Sequence, residues 1–306
     1  MRTLFIYIFT FSTPLSMIAQ VNKKAEVIEQ STALFGDLKQ SALDAKKSGR
    51  LKFADSAAKV YKSNYLDLLG DSSLITRETF EFVTNFPDLI HSRDRIFRFC
   101  YDHLILTDEL VGGRKGYTRD LVKYIIRKEL VDTFLYKNQN VLTLRPNWKR
   151  MHRKIKKKYG RDYADEIILE SKMTFYRRIE NWMEFGSLFD QNVRHNHPSR
   201  TSNLLGGSFG DAWTLNSTAW DIFLNCNDKV VLKKALTWVC LGMNFCDTDT
   251  DKVQYLDTEA NILYKLGNSN SAIGYEEKAV SLERENREMQ LTLAKMKLGI
   301  PTWPTK

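Results

Sequence analysis

The sequence predicts an all-α protein made of stacked helical hairpins. Apolar residues recur at spacings of three, four and seven along nearly the whole chain, which is the period of an α-helix. No run alternates convincingly between apolar and polar residues, as a half-buried strand does. Only 6 Pro and 15 Gly interrupt 306 residues, which argues against a turn-rich all-β fold and against disorder.

The first nineteen residues have the pattern of a secretory signal peptide. Arg2 provides a basic start, residues 4–11 form an apolar run, and smaller residues lead to Ala19. The apolar run is too short to span a bilayer, and no other segment is long enough. We therefore expect residues 1–19 to be removed and the rest to be exported, without spanning the membrane, into the periplasm of a Gram-negative bacterium.

The charge of the chain indicates the kind of partner it meets. Loss of the signal would remove one charge, on Arg2, and lower the formal net charge from +9 to +8. For an exported protein, this favours acidic proteins or an anionic envelope surface over chromosomal DNA.

Residues 20–194 are predicted to form a helical domain, and residues 195–211 a loop or linker. The helical stretches of the first range are expected at 25–45, 54–68, 77–86, 94–106, 118–130, 164–179 and 182–189. Thr118 has the residue type of an N-cap and is expected to begin the fifth of them. Pro198 and three glycines mark the loop that follows the domain.

Residues 212–284 contain two copies of one pattern, and residues 285–306 follow as a helix and tail. Ala219 in the first copy aligns with Ala260 in the second, and Ala235 aligns with Ala272. In each copy a small residue stands on both helices of a pair, where only a small side chain lets two helices approach closely. The predicted packing residues of the two copies are Ala219, Trp220, Ala235, Leu256, Ala260, Gly267, Ala272 and Ala279.

This pattern resembles the tetratricopeptide repeat (TPR), a helix–turn–helix unit of about 34 residues. The resemblance implies a TPR-like α-solenoid, or right-handed superhelix, with a concave groove for a peptide or helix of a protein partner. The match is incomplete, because Arg284 replaces the closing Pro of the second copy and Gly242 stands where the last alanine of the first copy belongs. Upstream, in residues 20–194, repeats are not legible.

The same region is also similar to the C-terminal helical part of exported bacterial thioredoxin-like proteins. In those proteins a domain with a Trp-Cys-x-x-Cys motif precedes the helices, and residues 20–110 contain no such motif. The resemblance implies, as an alternative function, an accessory role in thiol–disulfide chemistry. The sequence allows Cys226 and Cys240 to face each other across the first helix pair, and buried free thiols and a structural disulfide are both compatible with it.

Three further patterns are candidates for binding a metal ion or an anion. His195 and His197 stand two residues apart, but a metal site needs three or four convergent ligands, so a surface loop is favoured. The glycines of residues 112–118 precede a helix, yet Lys115 is followed by Gly116 instead of Ser or Thr, so a helix connection is favoured over a phosphate site. No catalytic residue, cofactor site or metal site is predicted.

The last pattern is a basic run at residues 145–161. Its spacing predicts an amphipathic helix that turns Trp148, Met151 and Ile155 inward and its charges to solvent. A solvated helix face is favoured, and a binding surface for an anionic polymer or envelope surface is the alternative. The candidate binding residues are Lys149, Arg150, Arg153, Lys154, Lys156, Lys157 and Lys158. The function favoured by the whole sequence is a non-catalytic protein-interaction or scaffold module.

Overall fold

The computed structural model describes residues 34–304, apart from Arg114, Thr201, residues 203–204 and residues 206–209. The predicted signal peptide at residues 1–19 lies outside the described residues. Within them the predicted all-α class is confirmed, since the strands found there are one short antiparallel hairpin, Tyr136–Lys137 with Asn140–Val141. The hairpin was not predicted from the sequence.

The chain divides into two compact units, and the division falls between Asp132 and Thr133. This position lies inside the range 20–194, for which the sequence predicted one helical domain. The helices of the first unit are α1 (34–47), α2 (Leu51–Asn64), α3 (Asp71–Leu74), α4 (Arg77–Asn85), α5 (Arg95–Asp102), α6 (Leu104–Leu110) and α7 (Tyr117–Arg127). A π-helical turn, Lys128–Asp132, ends the unit.

Aromatic side chains fill the core of the first unit. Tyr61 of α2 and Phe82 of α4 are buried, and their ring centroids are 4.8 Å apart. Phe86 continues this contact, with its ring centroid 5.1 Å from that of Phe82. The helix α4 begins where the Thr76 hydroxyl accepts a hydrogen bond from the Thr79 backbone N–H, the arrangement of an N-cap.

The second unit begins with α8 (Thr133–Leu135), the strand hairpin, α9 (Trp148–Tyr159), α10 (Arg161–Arg178) and α11 (Trp182–Asn196). The Asn147 side chain caps α9 by accepting a hydrogen bond from the Arg150 backbone N–H. Gly160 separates α9 from α10 with a φ of +94°, a backbone conformation that favours glycine. The helices α9 and α10 pack against each other, and so do α10 and α11.

The helices of the C-terminal part are α12 (Asp211–Asn225), α13 (Lys229–Met243), α14 (Asp249–Leu266), α15 (Ser269–Leu282) and α16 (Arg287–Lys297). Short turns join α12 to α13 and α14 to α15, so each of these couples is an antiparallel pair. The helix α14 packs against its partner α15 and also against α12 and α13 of the preceding pair. Helices that are adjacent in sequence thus stack on one another, as in a helical-repeat fold.

Local signals fix the ends of these helices. Asp228 caps α13, and Thr248 and Asp251 form a capping box at the start of α14. Gly267, the predicted turn glycine, ends α14 in the left-handed conformation with a φ of +93°. Among the described residues, none of the helices combines the length and the apolar character that crossing a bilayer requires.

Gly242 of α13 lies at a close contact with the helices α12 and α14. A Cβ on this residue would lie 2.8 Å from Cε1 of Tyr255 in α14 and 3.1 Å from the carbonyl oxygen of Ala212 in α12. Both distances are shorter than ordinary carbon contacts, and the backbone carbonyl cannot rotate away. The glycine at the position of the last repeat alanine is therefore required by packing.

Gly242→Ala and Gly274→Ala are expected to change the stability in opposite directions. Ala at position 242 must displace the Tyr255 ring, so we expect a loss of about 1–3 kcal/mol in the free energy of unfolding. Gly274 lies on the exposed face of α15 with open space around it, and Ala there should add up to about 1 kcal/mol through helix propensity. Urea unfolding of both variants measures the difference, and equal effects would contradict the close approach at Gly242.

Candidate functional site

The predicted small residues of the repeat lie in helix contacts. Each of the five alanines in the pattern has no exposed surface, and they are Ala219, Ala235, Ala260, Ala272 and Ala279. Ala260 and Ala272 belong to one cluster of buried side chains between α14 and α15, and Leu256 and Ala279 belong to another. Trp220 is half-buried against the larger core around α12 and α13.

The C-terminal tail returns to the helices α12 and α14. Trp303 packs edge-on against Phe223 near the end of α12, with 6.4 Å between ring centroids. It also packs against Tyr264 near the end of α14, with 6.0 Å between ring centroids. These two helices are the first members of the successive pairs, so Trp303 contacts equivalent parts of both.

Lys265 joins the tail to the two helices. Its ammonium group donates a hydrogen bond of 2.6 Å to the carbonyl oxygen of Phe223, in the last turn of α12, where carbonyls lack a partner within the helix. The same nitrogen lies 5.5 Å from the ring centroids of Phe223 and Trp303, within the range of a cation–π contact. Burial lowers the pKa of Lys265. The tryptophan therefore lies in a pocket of two aromatic rings and a partly desolvated cation.

A buried pair of carboxyl groups lies between α14 and α15. Glu276 has no exposed surface, and none of the described residues donates a hydrogen bond to its carboxyl oxygens. Burial and, secondly, the charge of Asp257 raise its pKa to about 9. Burial also raises the pKa of Asp257, whose carboxyl accepts a hydrogen bond of 3.0 Å from the Asn261 side chain. The Glu276 carboxyl therefore holds a proton at neutral pH beside the Asp257 carboxyl.

The histidine pair does not form a metal site in the part of the chain that the structure describes. His195 is exposed in the last turn of α11, and His197 follows that helix with a φ of +46°. The nearby Asp190 carboxylate contacts Arg194 and the indole N–H of Trp238. Within the described ranges, no group of three or more His, Cys, Asp and Glu side chains could hold a metal ion.

All four cysteines are free, so of the two alternatives for Cys226 and Cys240 the structure supports the free thiols. Cys226 lies in the turn between α12 and α13, whereas Cys240 lies in the last turn of α13. At a rise of 1.5 Å per residue the two are roughly 16 Å apart along the helix axis. A disulfide requires Cα atoms within about 7 Å of each other. Burial raises the pKa of all four thiols, those of Cys100, Cys226, Cys240 and Cys246, which disfavours the reactive thiolate.

The glycine-rich loop at residues 112–118 already binds an anionic group of the chain itself. The Asp108 carboxylate accepts hydrogen bonds from the backbone N–H of Gly116, at 2.6 Å, and of Thr118, at 2.8 Å. These N–H groups are among those that a bound phosphate would use at a helix N-terminus. The helix begins at Tyr117, so the prediction that Thr118 is its N-cap was wrong.

The basic run forms α9 with the orientation that its spacing predicts. Met151 and Ile155 are buried, and Trp148 is half-buried with its ring 5.6 Å from that of Phe175. The seven candidate binding residues, Lys149, Arg150, Arg153, Lys154, Lys156, Lys157 and Lys158, are all exposed.

Comparison with known proteins found no protein family, no curated protein and no solved structure that matches the chain. The function is therefore inferred from the arrangement of its own residues. Trp303 and the pair Asp257 and Glu276 were not identified as functional candidates from the sequence. A tryptophan between two prolines after the last helix is unusual in a solvated tail, and it is the one signal that pointed to Trp303.

Proposed function

We propose that this protein is a non-catalytic interaction module, exported to the periplasm of a Gram-negative bacterium, that holds an extended peptide of a partner protein across α12 and α14. The observation that supports it is the position of the chain's own tail. Trp303 of this tail contacts the first helices of both pairs and lies between Phe223, Tyr264 and Lys265. The tail thus occupies the place that we assign to the partner's peptide.

The chemistry of this contact defines the peptide that it suits. Aromatic rings packed edge-on favour a large aromatic side chain, and the Lys265 ammonium favours the face of a tryptophan or tyrosine. Pro301 and Pro304 flank Trp303 and restrict the backbone, so less conformational entropy is lost on binding. We infer that the partner presents an aromatic residue in an extended, proline-containing segment.

The stacking of the helix pairs supports a TPR-like array as the scaffold of this contact. In such arrays, successive helix pairs create a concave surface that binds a peptide or a helix. The buried alanines and Gly242 hold α12, α13, α14 and α15 close together, which keeps Phe223 and Tyr264 in a fixed relation. An accessory role in thioredoxin-like chemistry has less support, because the raised thiol pKa values disfavour disulfide exchange.

Affinity capture with Trp303→Ala as bait tests the proposal. We expect this variant to retain more of one stoichiometric partner from envelope extract than the natural chain, because its tail competes less for the site. Leu298→Ala is the control, since Leu298 is 73% exposed beside the same tail. A synthetic peptide of residues 298–306 should displace the captured partner. Equal capture by all three baits, with no displacement by the peptide, would contradict the proposal.

A further inference from the structure

The outer face of α9 carries a dense and uncompensated positive charge. The helix contains no Asp or Glu between Trp148 and Tyr159. The nearby carboxylate of Asp165 is engaged by His152 and Arg161. Within the described ranges, no carboxylate forms an ion pair with the exposed cations Lys149, Arg150, Arg153, Lys156 and Lys157. The charge of this face is therefore available to an external anion.

An apolar cavity of about 160 Å³ opens beside this charged face. Phe134, Pro146 and Met151 form its apolar lining, and Arg150 and Lys154 border it. The Phe134 side chain is 44% exposed, and the Lys154 ammonium lies 4.7 Å from the centroid of its ring. Aromatic and cationic groups thus reach solvent together at this place.

Two further apolar side chains protrude from the segment that joins the strand hairpin to α9. Leu142 is 52% exposed and Leu144 is 71% exposed. Thr143, which stands between them in sequence, lines the same cavity as Phe134. Exposed apolar side chains that are grouped in one region, unlike scattered single ones, are typical of surfaces that bind a protein or a membrane.

We propose that α9 and the segment before it bind the surface of a membrane that contains anionic phospholipid. The cations contact the phosphates of the headgroups, and Phe134, Leu142 and Leu144 enter the boundary between headgroups and acyl chains. Cationic residues next to exposed aromatic and aliphatic side chains are the combination by which peripheral proteins bind such surfaces. This site shares no residue with the peptide contact at α12 and α14, so each can fail without the other.

The distribution of charge favours a lipid surface over an acidic peptide. The cations occupy the whole solvent-facing arc of α9, and the apolar groups protrude at several separate points. A bilayer accepts both features without a fitted groove, whereas a peptide needs one continuous groove that places its acidic and apolar residues in register.

Co-sedimentation with lipid vesicles tests this inference on the full chain. The vesicles contain phosphatidylcholine alone, or phosphatidylcholine with about one third phosphatidylglycerol. We expect binding to the second kind only, and a fall in binding as salt rises from about 0.05 to 0.5 M. Lys156→Glu with Lys157→Glu should lower the partition coefficient at least about tenfold.

Two controls test whether vesicle binding depends on the face of α9. The first excludes an effect of net charge alone, and the second excludes general binding to polyanions. Lys52→Glu with Lys59→Glu makes the same charge change on exposed positions of α2 and should leave vesicle binding nearly unchanged. Leu144→Ser should weaken vesicle binding while retention on heparin stays the same. Three outcomes would overturn the assignment to lipid. They are an equal loss of vesicle binding in both double variants, no binding of the natural chain to either kind of vesicle, and binding to heparin without binding to vesicles.

Discussion

Glu276→Gln is expected to stabilise the protein, by an amount that grows as the pH rises. The Glu276 carboxyl is fully buried between α14 and α15, and its pKa is raised to about 9 by burial and by the Asp257 charge. The glutamine amide has nearly the same volume as the protonated acid, but it never ionises. We expect a gain of roughly 2–4 kcal/mol in the free energy of unfolding at pH 8.

The pH dependence follows from the direction of the shift. The folded pKa of Glu276 is above the unfolded value, so the folded state binds the proton more tightly. The protonated Glu276 carboxyl therefore contributes to the free energy of unfolding in full below the ordinary pKa of a glutamate. This contribution is lost progressively as the pH rises to about 9. The pKa of Asp257 is also raised, to about 6, so its ionisation lowers the free energy of unfolding in the same way over a lower pH range.

Thermal melts at about pH 5, 7 and 8.5 measure this effect. The midpoint of the natural chain should fall toward higher pH, and that of Glu276→Gln should fall less. Glu277→Gln is the matched control, because Glu277 is the next residue and its side chain is exposed beside Lys297. If the difference in melting midpoint between the natural chain and Glu276→Gln is the same at every pH, then the Glu276 carboxyl is hydrated in the folded state. That result would contradict the raised pKa.

Ala272→Leu is expected to destabilise the protein by about 1–3 kcal/mol, because it adds three carbon atoms to a filled contact. Ala272 has no exposed surface and belongs to the buried cluster with Ala260, Tyr264 and Met296. Because Ala272 lies between α14 and α15, we expect a larger side chain to push the two helices apart. The same displacement would disturb Tyr264 and with it the contact of Trp303.

Urea unfolding of Ala272→Leu should show a lower midpoint. Ala294→Leu is the control, since Ala294 is exposed on α16 and the substitution there should change the stability little. Equal stability of the two variants would mean that Ala272 does not hold the helix pair together.

Features that depend on local spacing could be predicted from the sequence. The helical period and the small residues of the two copies are visible in one stretch of chain, and the helix pairs at α12–α15 follow from them. The inward face of α9 follows from spacing in the same way, since Met151 and Ile155 are one turn apart.

Features that join distant residues could not be predicted in this way. Asp257 and Glu276 look like solvent-facing charges on separate helices, and only the packing of α14 on α15 buries them together. Trp303 contacts Phe223 across about eighty residues of chain, and no pattern in the tail identifies that partner. The separation of Cys226 from Cys240 follows only once the bounds of α13 are known, because Cys226 precedes that helix and Cys240 lies in its last turn.

The most direct test of the proposed function is binding of the tail peptide in trans. A chain that ends at Ile300 keeps the hydrogen bonds at the end of α16 but lacks Trp303. Fluorescence anisotropy of a labelled peptide of residues 298–306 should rise saturably as this chain is added. A peptide with Trp303→Ala should not bind, and the full chain should bind the natural peptide more weakly because its own tail occupies the site. Equal binding of both peptides, or no binding of either, would contradict the account.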